Sequence, residues 1–205
     1  MKKAAFSLFV AALIVAAVGG SRFWPAPADE WSDAEMSMLR SLWIGSLPEL
    51  PPDPSNAVAD DAGAARFGQA LFFSTALSPS KAIACATCHR PELRFTDGMQ
   101  KGRGVGFSRR NTMSIVGTAY SPWQYWDGRR DSQWAQALSP IEDPAEHGGN
   151  REFAVRAVAA DPVLRAQYET VFGATPSLDE PPQVDRVFAN MGKAIAAYER
   201  LIMPG

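Results

Sequence analysis

Cys85-Ala86-Thr87-Cys88-His89 is the stretch on which the reading of this chain turns. The pattern C-x-x-C-H is the attachment sequence of c-type haem, in which both thiols form thioether bonds to the porphyrin vinyl groups and the adjacent imidazole ligates the iron. The spacing explains the chemistry. On a helix, positions i, i+3 and i+4 share one face, so Cys85, Cys88 and His89 can all address one macrocycle. Pro91 then ends the turn. Zinc binding and thioredoxin-type redox chemistry are the competing readings of a C-x-x-C. Cys85 and Cys88 are the only two cysteines, so no second pair completes a tetrahedral zinc site. The flanking sequence also lacks the βαβ pattern of a thioredoxin-like motif.

The N-terminus agrees with an exported haem protein. Lys2 and Lys3 form a basic region, Ala4 to Val18 is apolar, and Val18-Gly19-Gly20 supplies small residues suited to cleavage before Ser21. Residues 1–20 are therefore expected to be a signal peptide or an uncleaved N-terminal anchor. The periplasm is the expected location. The chain has 205 residues, of which 46% are hydrophobic, enough for one domain with a core and a tail. Its net charge of -2 offers no polybasic surface, which excludes nucleic acid as an expected partner.

The rest of the chain reads as helical. Ser32-Asp33-Ala34-Glu35 is a capping box, and Met36, Leu39 and Trp43 follow at helical spacing, which predicts a short amphipathic helix to about Ile44. Leu47 to Asn56 carries four prolines and should lie extended over the domain surface. Ala62 to Phe73 predicts a helix with aromatic packing, and Glu92 to Thr118 an ordered loop with little regular structure. A short helix is expected over Asp131 to Leu138, ended by Pro140. Helices over Arg151 to Ala159 and Val163 to Phe172 follow. Pro181-Pro182 opens a last helix with Val184, Val187, Phe188, Met191, Ile195 and Tyr198 on one stripe. No alternating run of strand length is visible. The expected fold is an all-α, cytochrome c-like helical domain with long ordered loops around one covalently bound haem. Residues 21–60 form a tether, a short helix and a Pro-rich segment, and residues 61–205 form the haem domain.

Beyond the haem motif, the sequence resembles the bacterial di-haem cytochrome c peroxidase and MauG family. The matching features are Ala70-Leu71-Phe72-Phe73 before Leu77-Ser78, Cys85 to His89, Phe95-Thr96-Asp97-Gly98, Arg110-Asn111-Thr112, Trp126-Asp127-Gly128-Arg129, Gln136-Ala137, and Pro140 leading to Glu146. Ile195 to Arg200 looks like the helix that closes the family's first domain. Trp43 to Pro48, Pro52 to Asn56 and Glu146-His147-Gly148-Gly149 look closest to the MauG-like branch that includes MbnH.

The resemblance implies that His89 is the proximal iron ligand, that Glu146 and Gln136 lie on the distal side, and that Trp126 lies between the family's two haems. Asn111 matches a calcium ligand. Peroxide is the implied substrate, with electrons from a small cytochrome or copper protein, or with a partner protein's tryptophan as the group oxidised. Two departures stand out. Arg103 occupies the place of the histidine that caps the reactive haem in typical family peroxidases, which implies an iron open to peroxide. The family's second haem domain, with its own C-x-x-C-H, is not expected in this chain, so a separate second haem domain is a further expected partner.

His147, beside Glu146, reads equally as a distal hydrogen-bond donor, an iron ligand or a surface histidine. The competing function is a mono-haem electron-transfer cytochrome with His/Met ligation through Met99, Met113 or Met191, or an inactive fragment of a di-haem enzyme. A redox- or gas-sensing haem module has no signalling segment to support it.

Overall fold

The computed structural model describes residues 31–204. The leader and the tether Ser21 to Ala28 expected from the sequence lie outside the described residues. The chain divides into two units, residues 1–48 and 49–205. In the first, α1 (Asp33–Ser41) starts where its capping box predicts. The Glu35 backbone N–H donates to Ser32 Oγ at 3.3 Å, and the Ser32 backbone N–H donates to the Glu35 carboxylate at 2.8 Å. The helix is shorter than expected. It ends at Ser41, and a 3-10 turn covers Ile44–Ser46, because the Leu42 N–H reaches back to carbonyls at both three and four residues' distance and tightens the last turn.

The second unit is built from α2 (Ala62–Phe73), α3 (Cys85–Cys88), α4 (Gln133–Glu142), α5 (Arg151–Ala160), α6 (Pro162–Phe172) and α7 (Pro181–Glu199). No β-strand occurs among the described residues, only isolated bridges such as Arg90 with Thr96. The all-α reading holds. Local chemistry sets the helix starts: Asp61 caps α2 through the Ala64 N–H, Asn150 caps α5 through the Phe153 N–H, and Asp161 caps α6 through the Val163 and Leu164 N–H groups.

α7 is the axis of packing. Its stripe Val184, Val187, Phe188, Met191 and Ile195 is buried, and α2 and α4 lie against it. Small residues bring the backbones close. A Cβ on Gly68 of α2 would overlap the Ala194 carbonyl of α7, and one on Gly192 would sit 2.7 Å from the Trp134 carbonyl of α4. The proline-rich strap of residues 49–56 lies against the same helix, without helix or strand as expected. The Pro51 carbonyl accepts from buried Arg200 at 3.1 Å, and the Asn56 amide donates to the Lys193 carbonyl at 3.0 Å.

A second helix, α4, also departs from its predicted bounds. α4 spans Gln133–Glu142 and runs through Pro140, where the sequence predicted a helix over Asp131 to Leu138 stopped by that proline. Proline removes one hydrogen bond, the one to the carbonyl four residues earlier, and this loss falls near the C-terminus of α4. Ile141 is fully buried in the core, and that burial sustains the extra half-turn.

The approach of α2 to α7 carries a prediction. Gly68→Ala should lower the free energy of unfolding in a urea titration by about 1–3 kcal/mol, because the backbones must separate to admit one methyl group. An unchanged midpoint would mean that the two helices do not meet at Gly68.

Candidate functional site

A cavity opens between α2, α3, α4 and α7; about 460 Å³ of empty space lies in it and before its mouth, open solvent included. α3 contributes Cys85 and Cys88 with His89 just beyond, α4 contributes Gln136, Ala137 and Pro140, and the following loop contributes Glu146 and His147. Phe72 of α2 and Ile195 and Glu199 of α7 complete the inner wall. The tertiary fold therefore brings Cys85, Cys88, His89, Gln136 and Glu146 together.

His89 is held in one tautomer. Its backbone N–H closes the α3 turn on the Cys85 carbonyl at 2.9 Å, and its Nδ1 lies 3.0 Å from the Phe95 carbonyl. A carbonyl can only accept, so in this contact Nδ1 donates, the tautomer in which Nε2 can ligate a metal. The chain turns sharply to aim that carbonyl. Arg94 and Phe95 are both left-handed, at φ 56° and 58°, a conformation that side-chain-bearing residues rarely adopt. Burial lowers the His89 pKa, against the raising effect of hydrogen bonds to the Phe95 and Met113 carbonyls and of Asp97.

No disulfide joins Cys85 and Cys88. Burial pushes Cys85 up to about 12 and also raises Cys88, so both carry the S–H that adds across a vinyl double bond. The Cys88 thiol donates to the Arg103 carbonyl at 3.4 Å. With a free imidazole nitrogen, two thiols on the same helical turn and apolar walls from Phe72, Ile83, Ala137 and Ile195, the cavity fits a covalently attached haem c.

Glu146 sits on a loop clamped from both sides. The Val105 and Gly106 N–H groups donate to the Glu146 and Ala145 carbonyls, each at 2.9 Å. Gly104 permits this approach, since a Cβ there would overlap the Glu146 backbone. Desolvation, with Asp143 adding repulsion, raises the Glu146 pKa against the opposing pull of Arg129. Gln136, half-buried on α4, faces the same space.

Four other residues stand apart from the cavity. Trp126 is 59% exposed on the loop before α4 and does not line it; Trp123, on the same loop, is 61% exposed. Arg103 is exposed and turns its guanidinium over the Phe107 ring, 5.8 Å from the centroid. Asn111 is exposed. Among the described residues no group of three or more His, Cys, Asp or Glu side chains could hold a metal ion, so no carboxylate cluster joins Asn111 in a calcium site.

Two further residues line the cavity: His147, whose role the sequence left open, and Glu199, which it did not single out. His147 is 3% exposed and its Nδ1 has no hydrogen-bond partner, an arrangement that costs about 1–3 kcal/mol where no ligand satisfies it. Burial alone pushes its pKa down to about 4, so the imidazole is neutral. The structure rules out the surface-histidine reading. Glu199 is 5% exposed, and burial pushes its carboxyl up to about 8. A signal for it existed: Glu199 lies four residues after Ile195, on the apolar stripe of α7 where an acid is out of place.

Glu199 carries a sign-definite pH dependence. Its pKa is about 8 when folded against an ordinary 4.5, so between those values the folded chain holds a proton that the unfolded chain releases. Stability therefore falls as pH rises through that window. Glu199→Gln should flatten the plot of unfolding free energy against pH by up to about 1.4 kcal/mol per pH unit. A slope equal to that of the wild type would show that Glu199 titrates normally.

The comparisons with known proteins agree with this geometry. Residues 62–205 match the family model described as di-haem cytochrome c peroxidase. The methylamine utilization protein MauG of Methylorubrum extorquens is 34% identical over 161 residues, covering 77% of this chain and 43% of that protein. The cytochrome c551 peroxidase of Nitrosomonas europaea is 31% identical over 159 residues, covering 76% and 45%. Among solved structures, the diheme peroxidase BthA of Burkholderia thailandensis superposes with a TM-score of 0.61 at 27% identity, covering 74% of this chain and 39% of that one. A MauG-like protein associated with microbial copper homeostasis gives the same TM-score and identity over 79% and 47%. The chain thus spans less than half the length of these relatives. With its cysteine pair, its tautomer-fixed histidine and its helical cavity, the chain belongs to the di-haem cytochrome c peroxidase family.

Proposed function

We propose that this chain provides a peroxide-reacting haem c domain, exported to the periplasm, in which Cys85 and Cys88 carry the thioethers and His89 ligates the iron. The observation that carries this reading is the convergence of those three residues with Gln136 and Glu146 on one cavity. A haem c bound there supplies an iron that takes up peroxide and a conjugated ring that exchanges electrons.

The protein's part is proton handling. Breaking the O–O bond of hydrogen peroxide requires a proton to leave one oxygen and another to reach its neighbour, so that two electrons and two protons yield two waters. Glu146 serves as base and then as acid. Its raised pKa lies closer to neutrality than that of a solvated carboxylate, which favours transfer in both directions. Gln136 donates a hydrogen bond to the oxygen that gathers charge.

Electrons come from a small cytochrome or copper protein, or from tryptophan side chains of a partner protein, the group oxidised in the variant that follows the MauG likeness. The exposed Trp126 loop is the point of exchange with a second haem domain. Asn111 contributes at most one side-chain oxygen to calcium. The export assignment rests on the pattern of residues 1–20, and no described helix is long and apolar enough to cross a membrane.

A His/Met electron carrier is disfavoured by the cavity wall. Met191 is fully buried in the core, Met99 and Met113 are exposed, and none of the three lines the cavity. Arg103 also leaves the iron site open. It stands where family peroxidases carry a capping histidine, and it turns outward onto Phe107, in keeping with an iron open to peroxide.

Stopped-flow absorption of the haem-loaded protein mixed with hydrogen peroxide tests the reading. Glu146→Gln should slow the spectral change by about 10²–10⁴-fold while the spectrum of the attached haem is retained. Wild-type protein whose spectrum ignores peroxide would refute a peroxidase function, and an unslowed variant would remove Glu146 from the mechanism.

A further inference from the structure

His147 is fixed more firmly than a passive wall residue requires. Its N–H donates to the Pro140 carbonyl at 3.1 Å, and its own carbonyl accepts from the fully buried Ser78 hydroxyl at 2.7 Å. Ser80 closes onto the same hydroxyl at 2.8 Å. The neighbouring Glu146 is pinned by Val105 and cannot give way. Hydrogen bonds on both sides therefore hold the backbone that carries the ring. This backbone carries a side chain that lines the cavity and whose Nδ1 is buried and unpaired. Buried polar groups are normally satisfied, so an imidazole kept without a partner beside a ligand space points to a partner that arrives with the ligand.

We propose that His147 is a third hydrogen-bonding residue of the peroxide pocket, next to Glu146 and Gln136, which holds a small anionic or oxygen ligand through a neutral imidazole. The inference rests on the reading of the cavity as a peroxide-reacting haem site. A neutral imidazole suits the task because one ring nitrogen donates while the other accepts. Burial keeps it neutral, since a pKa pushed down to about 4 leaves no imidazolium at working pH. The division of labour follows from chemistry: Glu146 moves the proton, and His147 fixes the ligand with a donor that does not change charge.

The test uses fluoride, an anion that accepts hydrogen bonds and takes no part in oxygen chemistry, titrated into the ferric, haem-loaded full chain. His147→Leu should weaken fluoride binding by about tenfold or more, and His147→Gln, which keeps an N–H donor, should recover much of the loss. His147→Phe provides a second apolar variant if the leucine variant fails to load haem. Fluoride affinity unchanged in the apolar variants would overturn the proposal. A low-spin wild type that binds no fluoride and turns high-spin in His147→Leu would also overturn it, by making His147 an iron ligand. Peroxide reactivity is read separately. Fluoride binding that depends on His147 in a protein that ignores peroxide would uphold the hydrogen bond and sink the peroxidase reading alone.

Discussion

The close approach of α2 and α7 is the constraint on which the rest depends. Where Gly68 meets the Ala194 carbonyl there is no room for a side chain, so the two helices pack backbone to backbone. α7 can then present its other side to α4 through Gly192, and its last turns to the cavity through Ile195 and Glu199. The three helices form the frame. α3, only four residues long, has too little surface to position itself, and it depends on α2 and the Phe72 cluster for its place.

Within that frame the cavity breaks the usual rule that buried polar groups find partners. His89 is the satisfied member. The Phe95 carbonyl takes its Nδ1 proton, through a turn in which two successive residues hold left-handed dihedrals at about 1–3 kcal/mol each. His147 and Glu199 are left uncharged by burial, and Glu146 is shifted in the same direction as Glu199. The neutral His147 and Glu199 offer hydrogen bonds without fixed charges that would have to be solvated.

Much of this was legible in the sequence where the information is local. The C-x-x-C-H spacing, the capping box at Ser32 and the apolar stripe of α7 each act within one or two turns of chain, and the structure follows them. Pro140 shows the limit of such reasoning. Proline penalises a helix locally, yet Ile141 reaches a core assembled from residues far away in sequence, and burial outweighs the local signal. His147 shows the same limit from the other side, since a histidine beside two glycines looks like surface until Ser78 is brought against it.

By itself, then, the sequence determined the all-helical class, the C-x-x-C-H motif and the family, because motif spacing and helical periodicity are properties of neighbouring residues. Only the tertiary structure decided which polar side chains share the cavity, which of them are neutral, and that Trp126, Arg103 and Asn111 lie outside it. Burial and desolvation depend on residues brought together from distant parts of the chain, and they exist only once α2, α4 and α7 have packed.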